Sequence, residues 1–147
     1  MEIRRANQAH IPEISKLFDL YRQFYKCESD LDLAKAFITD RIKNNESVIF
    51  VAMDGNSAKG FVQLYPSFCS VETIKIFILH DLYVDECGRK SGIGEALMNK
   101  ASEFAKESGA SRIDLLTAFD NHAGQHLYEK LGYRRVLEDF YAYSLKV

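Results

Sequence analysis

The residues most able to do chemistry include a short glycine-containing stretch, Arg89-Lys90-Ser91-Gly92-Ile93-Gly94. It lies between an apolar segment that predicts a strand and an amphipathic segment that predicts a helix. Glycines have no Cβ atom and let backbone N–H groups approach an anion. The first turn of the following helix adds unpaired N–H groups and the positive end of its dipole. The stretch, with its two cations, therefore predicts a site for a ligand that carries a pyrophosphate.

Two better-known phosphate-binding loops fit this stretch poorly. A P-loop has Gly-Lys-Ser/Thr at the start of its helix, whereas here Lys90 and Ser91 precede Gly92. A dinucleotide-binding fingerprint needs a third glycine where this chain has Leu97, and it belongs to a parallel sheet. The two glycines alone are a weak signal, and a plain helix start is the alternative.

A second group of polar residues lies nearer the C-terminus. Asn121, Gln125 and Tyr128 are spaced i, i+4 and i+7, so a helix presents all three on one face, where one ligand could touch them. A phenol beside a thiolate leaving group can protonate it. Tyr128 is therefore a candidate general acid. The alternatives are a core role for Tyr128 and an N-cap role for Asn121.

Three segments together resemble a known family. The glycine stretch fits the pattern Gln/Arg-x-x-Gly-x-Gly/Ala, Asp81-Leu82-Tyr83-Val84-Asp85 precedes it, and residues 121–133 end in Leu-Tyr-Glu-Lys-Leu-Gly-Tyr. Over nearly the whole chain the sequence resembles the GNAT superfamily of acetyl-CoA-dependent N-acetyltransferases. The resemblance implies transfer of acetyl from acetyl-CoA, without a metal, to a primary amine by direct attack in a ternary complex. The acceptor would be a small-molecule amine, a polyamine or a protein lysine.

The resemblance also implies roles for individual residues. Backbone groups of the strand would pair with the pantetheine arm of acetyl-CoA, and amides of the glycine stretch would hold its pyrophosphate. Tyr128 stands where similar enzymes have the general acid. The residues expected to bind the cofactor are Leu82, Tyr83, Val84, Arg89, Lys90, Ser91, Gly92, Ile93, Gly94, Asn121 and Gln125.

An alkyl amine with a pKa near roughly 10.4 is protonated at neutral pH, so a base or a water relay must remove a proton before attack. Several GNAT relatives have a glutamate at the position of His80, and histidine is a plausible substitute because it titrates near neutrality. Asp81 would point to the opposite face of a regular strand, where it is structural or binds a cationic substrate. A structural His80 is the alternative. A covalent acetyl-cysteine at Cys87 is disfavoured, since no paired histidine spacing supports it.

The resemblance implies an acceptor pocket that is shaped by the region of the first two helices and by the last hairpin. Tyr25 could pack against an alkyl chain or offer a ring face to a cation, and Glu28 could attract one. The alternative is that these residues have only a structural role. Residues 29–32 match a capping box, and the aromatic residues at helical spacing are typical of a core.

Composition limits the remaining possibilities. The 147 residues, 47% of them hydrophobic, are enough for one domain, 1–147, and a net charge of −2 disfavours nucleic acid as a partner. The chain shows no membrane span or signal peptide pattern, and its three cysteines fit neither a zinc site nor a CxxC pair. We therefore expect a cytoplasmic enzyme without a metal; a homodimer is compatible with the sequence. A non-catalytic acyl-CoA-binding or regulatory module is the main alternative to an enzyme.

The predicted elements follow the order β-α-α-β-β-β-α-β-α-β-β, an α/β (α+β) GNAT fold with a mixed, mostly antiparallel sheet. A strand, a helix and a strand around Gly92 predict one parallel pair. A hairpin turn is predicted at 66–70. The predicted strands are 2–5, 48–53, 61–65, 72–84, 112–117, 133–136 and 140–145, and the predicted helices are 11–25, 29–43, 92–108 and 121–131.

Overall fold

The computed structural model describes residues 1–137 and 139–147. The chain divides into two compact units, Met1–Leu116 and Thr117–Val147. The elements of the first unit are β1 (Glu2–Arg5), α1 (Ile11–Phe24), α2 (Leu31–Lys43), β2 (Val48–Asp54), β3 (Ser57–Cys69), β4 (Ile74–Val84), α3 (Ile93–Glu107) and β5 (Arg112–Leu115), with single 3₁₀ turns at Gln8–His10 and Glu86–Gly88. The second unit contains α4 (His122–Lys130).

The five strands form one sheet in the order β1-β2-β3-β4-β5. The pairs β1–β2, β2–β3 and β3–β4 are antiparallel, and β4–β5 is parallel. A parallel pair needs a crossover connection, which α3 supplies. The predicted fold class, with one parallel pair in an otherwise antiparallel sheet, is confirmed.

Helices cover both faces of this sheet, because successive side chains of a strand point to opposite sides. On one face, α3 contributes Phe104, whose ring lies 5.6 Å from the rings of both Phe50 and Phe77. On the other face, α1 and α2 pack on β2 and β3. The buried cluster there consists of Ile14, Leu17, Phe18, Ala34, Ile38, Ile49, Val51, Met53, Ala58 and Phe61.

The turn between β3 and β4 lies at residues 70–73, and the predicted turn at 66–70 is wrong. Pro66 instead continues β3. Proline lacks an N–H group and fits a strand only where a ladder bond is not needed. The pairing of β2 with β3 ends where Val48 meets Leu64, so β3 has only β4 beside it at Pro66.

The start of α2 also differs from the predicted capping box. Asp30 is the N-cap, and its side chain accepts a hydrogen bond from the backbone N–H of Leu33. The Ser29 hydroxyl donates instead to Asp19 of α1, at 2.7 Å. Ser29 therefore joins the two helices rather than capping one.

The two closing strands predicted at 133–136 and 140–145 are not formed. Within the described parts of this segment, 133–137 and 139–147, the backbone has no strand conformation. Strand formation needs a neighbouring strand for the backbone N–H and C=O groups, which alternating side chains alone do not supply. Tyr141 and Tyr143 are more than nine-tenths exposed, at 91% and 93%.

Candidate active site

The central irregularity of the sheet is a β-bulge at His80. Gln63 of β3 pairs with Asp81, and the next residue, Leu64, pairs with Leu79, so β4 has one residue more than β3 at this point. A bulge redirects the side chains on the strand that carries it. His80 and Asp81 consequently line the same cavity, and the prediction that they face opposite sides is wrong.

This cavity has a volume of about 370 Å³ and is lined by Phe18, Phe37, Tyr65, His80 and Asp81. The edge of the His80 ring meets the face of Tyr65, with centroids 5.1 Å apart and planes at 83°. Mostly apolar walls with a few polar groups are typical of a small-molecule site. The cavity therefore suits an organic molecule with an apolar part and one polar or charged group.

Asp81 is the buried charged group of the cavity, with 9% of its surface exposed. Burial raises the pKa of its carboxyl, while the hydrogen bond from Gln63, the neighbouring Tyr21 hydroxyl and the charge of His80 lower it. The Gln63 side-chain Nε2 donates to Asp81 Oδ2 at 2.6 Å. Desolvation is the largest of these effects, so the pKa of Asp81 lies above the ordinary range of an aspartate.

Tyr21 of α1 fixes the bulge from the helical side. Its hydroxyl donates to the backbone carbonyl of His80 at 2.9 Å. Burial raises the pKa of Tyr21, and it raises the pKa of Tyr65 to about 12. Both phenols therefore stay neutral at physiological pH. Sequence reasoning identified His80 and Asp81 but missed Gln63, Tyr21 and Tyr65, because the bulge that brings them together has no signature in the sequence.

Beyond the bulge, β4 continues past the end of β5. The parallel pairing ends at Leu79 opposite Leu115, whereas β4 runs on to Val84. Arg89 lies at the end of this extension: its Nε donates to the Val84 carbonyl at 3.0 Å, and its guanidinium lies 5.6 Å from the centroid of the Tyr83 ring. The extension, which includes Leu82, therefore borders the loop that leads into α3.

The loop before α3 ends at Gly92, the N-cap of the helix, with φ of +85°. A Cβ atom there would meet nothing within 4 Å, so the left-handed backbone and not lack of space favours glycine. Gly92 itself offers no side-chain cap to the helix. The first amides of α3, at Ile93 and Gly94, thus lie at the positive helix end, which favours an anion. Arg89, Lys90 and Ser91 are exposed beside it.

Gly60 of β3 sets how closely α3 approaches the sheet. A Cβ atom on Gly60 would lie 2.9 Å from the Tyr83 carbonyl oxygen and 3.2 Å from Leu97 Cδ1. Only glycine allows this contact without displacing backbone. The position of the α3 N-terminus beside β4 therefore depends on a residue of the neighbouring strand.

In the second unit, Asn121 is the N-cap of α4. Its Oδ1 accepts from the Gly124 N–H at 3.1 Å, and its Nδ2 donates to Thr117 Oγ1 at 3.1 Å. The Gln125 amide donates to the carbonyls of Ala118 and Phe119. Both side chains thus organise the start of the helix, and their predicted contact with a cofactor stays a prediction.

Tyr128 of α4 is half-buried, and its ring centroid lies 6.0 Å from that of Tyr133. At the C-terminal end of the helix, the backbone N–H of Tyr133 donates a hydrogen bond to the backbone carbonyl of Tyr128. The predicted role of Tyr128 as a general acid stays a prediction.

The structure does not bring Tyr25 and Glu28 to the cavity lining. Tyr25 ends α1, and its ring packs edge-on against Tyr21 and Phe24 at centroid distances of 5.1 and 5.3 Å. Glu28 is exposed in the connection to α2. Tyr25 thus contacts Tyr21, whose hydroxyl bonds to the His80 carbonyl, and its predicted contact with a substrate remains a prediction.

Other site types are less well supported. Cys87 is exposed, and its Sγ lies 3.3 Å from an Asp85 carboxylate oxygen and 3.9 Å from the Lys59 amine, with no histidine in these contacts. In the described part of the chain, no group of three or more His, Cys, Asp or Glu side chains could hold a metal ion. None of the helices in residues 1–137 and 139–147 has the length and apolar composition needed to cross a membrane.

Comparison with known proteins identifies the family. The model of the acetyltransferase (GNAT) family matches residues 14–133. The uncharacterized N-acetyltransferase YhfO of Bacillus subtilis is 41% identical over 133 residues, which cover 90% of this chain and 89% of YhfO. The chain belongs to the GNAT acetyltransferase family. It is an acyltransferase that acts in acetyl transfer.

Solved structures agree with this assignment. A probable acetyltransferase with a solved crystal structure is 34% identical in sequence and has a TM-score of 0.91. The match covers 100% of this chain and 98% of that protein's chain. An aminoglycoside N-acetyltransferase solved in complex with CoA has a TM-score of 0.82 at 16% identity, covering 97% of this chain and 93% of its own. At that identity the likeness concerns the fold alone.

Proposed function

We propose that this protein transfers the acetyl group of acetyl-CoA to a primary amine, by direct attack of the amine in a ternary complex. The observation that carries the proposal is the bulge at His80. At this point β4 extends beyond β5 toward the N-terminal end of α3, and a cavity opens that contains an imidazole and a carboxylate. Donor binding on one side of the bulge and acceptor binding on the other would bring the two substrates together.

Acetyl-CoA fits the residues on the donor side. The amides of Ile93 and Gly94, with Arg89 and Lys90 beside them, suit a pyrophosphate. The extension of β4 offers backbone groups to an extended pantetheine arm, as in strand addition. The CoA complex of a protein with the same fold supports this choice of donor.

The cavity suits the acceptor side. Asp81 would attract the ammonium form of the amine, and His80 or a water beside it would take the proton before attack. The amine nitrogen then forms a bond to the acetyl carbon, and the bond between that carbon and the CoA sulfur breaks. The nitrogen loses its second proton as the amide forms, and this proton replaces the one that the general acid gives to the CoA sulfur.

Tyr128 would complete the reaction by donating its phenolic proton to the departing thiolate. This role rests on the family resemblance and on the chemistry of a phenol, since Tyr128 belongs to the second unit. The family model covers residues in both units, which supports one acetyltransferase domain over 1–147. We take the whole chain as the catalytic entity.

The experiment that tests the proposal combines binding with turnover. Acetyl-CoA should raise the melting temperature of the purified protein, and CoA thiol should be released when amines are added. The amines would include arylalkyl amines, spermidine, amino acids and lysine peptides. Stabilisation without thiol release across this panel would favour the acyl-CoA-binding module over the enzyme.

A further inference from the structure

A fully buried glutamine connects the cavity with the rim of the sheet. Gln63 lies in β3 with 0% of its surface exposed. Its Oε1 accepts from the Ser47 hydroxyl at 2.7 Å, and its Nε2 donates to Asp81 Oδ2 at 2.6 Å. An ionised carboxylate can only accept hydrogen bonds, so these two partners fix the orientation of the amide. Burying an amide costs free energy unless the amide is hydrogen-bonded. The two hydrogen bonds therefore give Gln63 a specific role that an apolar side chain of the same size could not have.

The groups that face Asp81 come from three elements. Gln63 of β3 donates a hydrogen bond to it, the Tyr21 hydroxyl of α1 and the charge of His80 of β4 lower its pKa, and Tyr65 of β3 lies across the cavity. Two further charges act on the pKa of Tyr65: Arg41 lowers it and Glu46 raises it. Among the five residues that line the cavity, Asp81 is the single carboxylate.

The geometry points to Gln63 as a positioning residue that holds Asp81 as an anionic docking group for the ammonium of an acceptor amine with an apolar body. The inference rests on the proposed function, because it takes the cavity as the acceptor site. The rings of Phe18, Phe37 and Tyr65 provide apolar walls and aromatic faces for that body. One carboxylate matches one ammonium group. The further charges of a polyamine would need partners that these five lining residues do not supply.

The test uses Gln63→Met, which keeps the length of the side chain but removes the donor to Asp81. Its matched control is Gln23→Met, because Gln23 Nε2 also donates to a carboxylate, Asp19 Oδ2, at 3.1 Å. Carboxyl ¹³C NMR of the free protein follows the titration of Asp81, with Asp81→Asn identifying the signal. Calorimetry between about pH 5 and 8 measures binding of two probes, 2-phenylethylamine and spermidine.

Gln63 lowers the pKa of Asp81, so its removal should raise that pKa measurably. Asp81 must be ionised to bind an ammonium group. Binding of 2-phenylethylamine should therefore weaken as pH falls, and in Gln63→Met it should weaken at a higher pH than in the unchanged protein. Gln23→Met should change neither the Asp81 titration nor the pH dependence of amine binding. In the unchanged protein, 2-phenylethylamine should bind at least tenfold more tightly than spermidine.

An unchanged Asp81 titration in folded Gln63→Met, tighter binding of spermidine, or no binding of 2-phenylethylamine would overturn the inference. If Gln63→Met does not fold, Ser47→Ala takes its place. Ser47→Ala removes the hydrogen bond to Gln63 Oε1, so the amide is held less firmly against Asp81. The pKa of Asp81 should then rise by less than in Gln63→Met, and an unchanged pKa would count against the inference. Neither readout requires turnover. Absence of acetyl transfer with these results intact would therefore contradict the proposed function alone.

Discussion

His80 and Asp81 are consecutive in β4 and nevertheless line the same cavity, because His80 is the extra residue of a β-bulge. In a regular strand two neighbouring side chains point to opposite faces. The bulge places an imidazole and a buried carboxylate where an amine can meet both. The hydroxyl of Tyr21 stabilises this arrangement by donating to the His80 carbonyl.

The first prediction concerns the donor site. Gly92→Asp should abolish stabilisation by acetyl-CoA, because it places a negative charge at the helix end that would hold the pyrophosphate. Thermal shift with acetyl-CoA measures this effect.

Its control is Gly109→Asp. Gly109 has φ of +81° and, like Gly92, open space around an added Cβ atom, so the backbone strain of the two variants is matched. The control should keep the full shift in melting temperature. Equal stabilisation of both folded variants by acetyl-CoA would exclude the loop as the binding site.

The second prediction concerns the leaving group. Tyr128→Phe should lower kcat by about 100-fold or more, since it deletes only the hydroxyl that would protonate the thiolate. The affinity for CoA should stay within a few-fold. Single-turnover kinetics measure the chemical step. Tyr143→Phe removes an exposed hydroxyl of the same unit and should leave kcat unchanged. An equal rate in the two variants would assign Tyr128 to packing.

The third prediction concerns the proton acceptor. If the imidazole of His80 takes the proton, kcat/KM should rise with pH as that group loses its own proton, and His80→Ala should remove this limb. His80→Gln keeps a hydrogen-bonding group without a titratable nitrogen, so it separates proton acceptance from the orientation of a water. The same pH profile in all three proteins would leave His80 a structural role at the bulge.

The fourth prediction concerns stability in acid. Asp19 accepts hydrogen bonds from Ser29, the Asp30 N–H and Gln23, and these bonds lower the pKa of its carboxyl below the unfolded value. A lowered folded pKa gives stability that is present above the unfolded pKa and is lost as pH falls through the folded pKa. Asp19→Asn should therefore cost about 1–3 kcal/mol of unfolding free energy at pH 7, and less at low pH.

Chemical denaturation at several pH values measures this difference. Asp40→Asn changes an exposed carboxylate of α2 and should leave the free energy of unfolding nearly constant. A difference between Asp19→Asn and the unchanged protein that does not decrease toward low pH would contradict the electrostatic explanation.

Some of this architecture could be predicted from the sequence, because its signals are local. The helix that begins after Gly92 and the parallel pair around α3 follow from periodicity and glycine chemistry. Pro66 could not be placed, because its tolerance in β3 depends on where β2 ends. The bulge and the Gln63–Asp81 bond depend on the register between two strands, which the sequence of either strand does not contain.

The most direct test of the central claim is a product measurement with the unchanged protein. Acetyl-CoA and the panel of primary amines are incubated with it, and CoA thiol and acetylated amine are quantified together by thiol titration and mass spectrometry. We expect equal amounts of both products for at least one amine, with Gly92→Asp forming neither. Acetyl-CoA binding without acetylated product from any amine, or acetylated product at the same rate in folded Gly92→Asp, would contradict the claim.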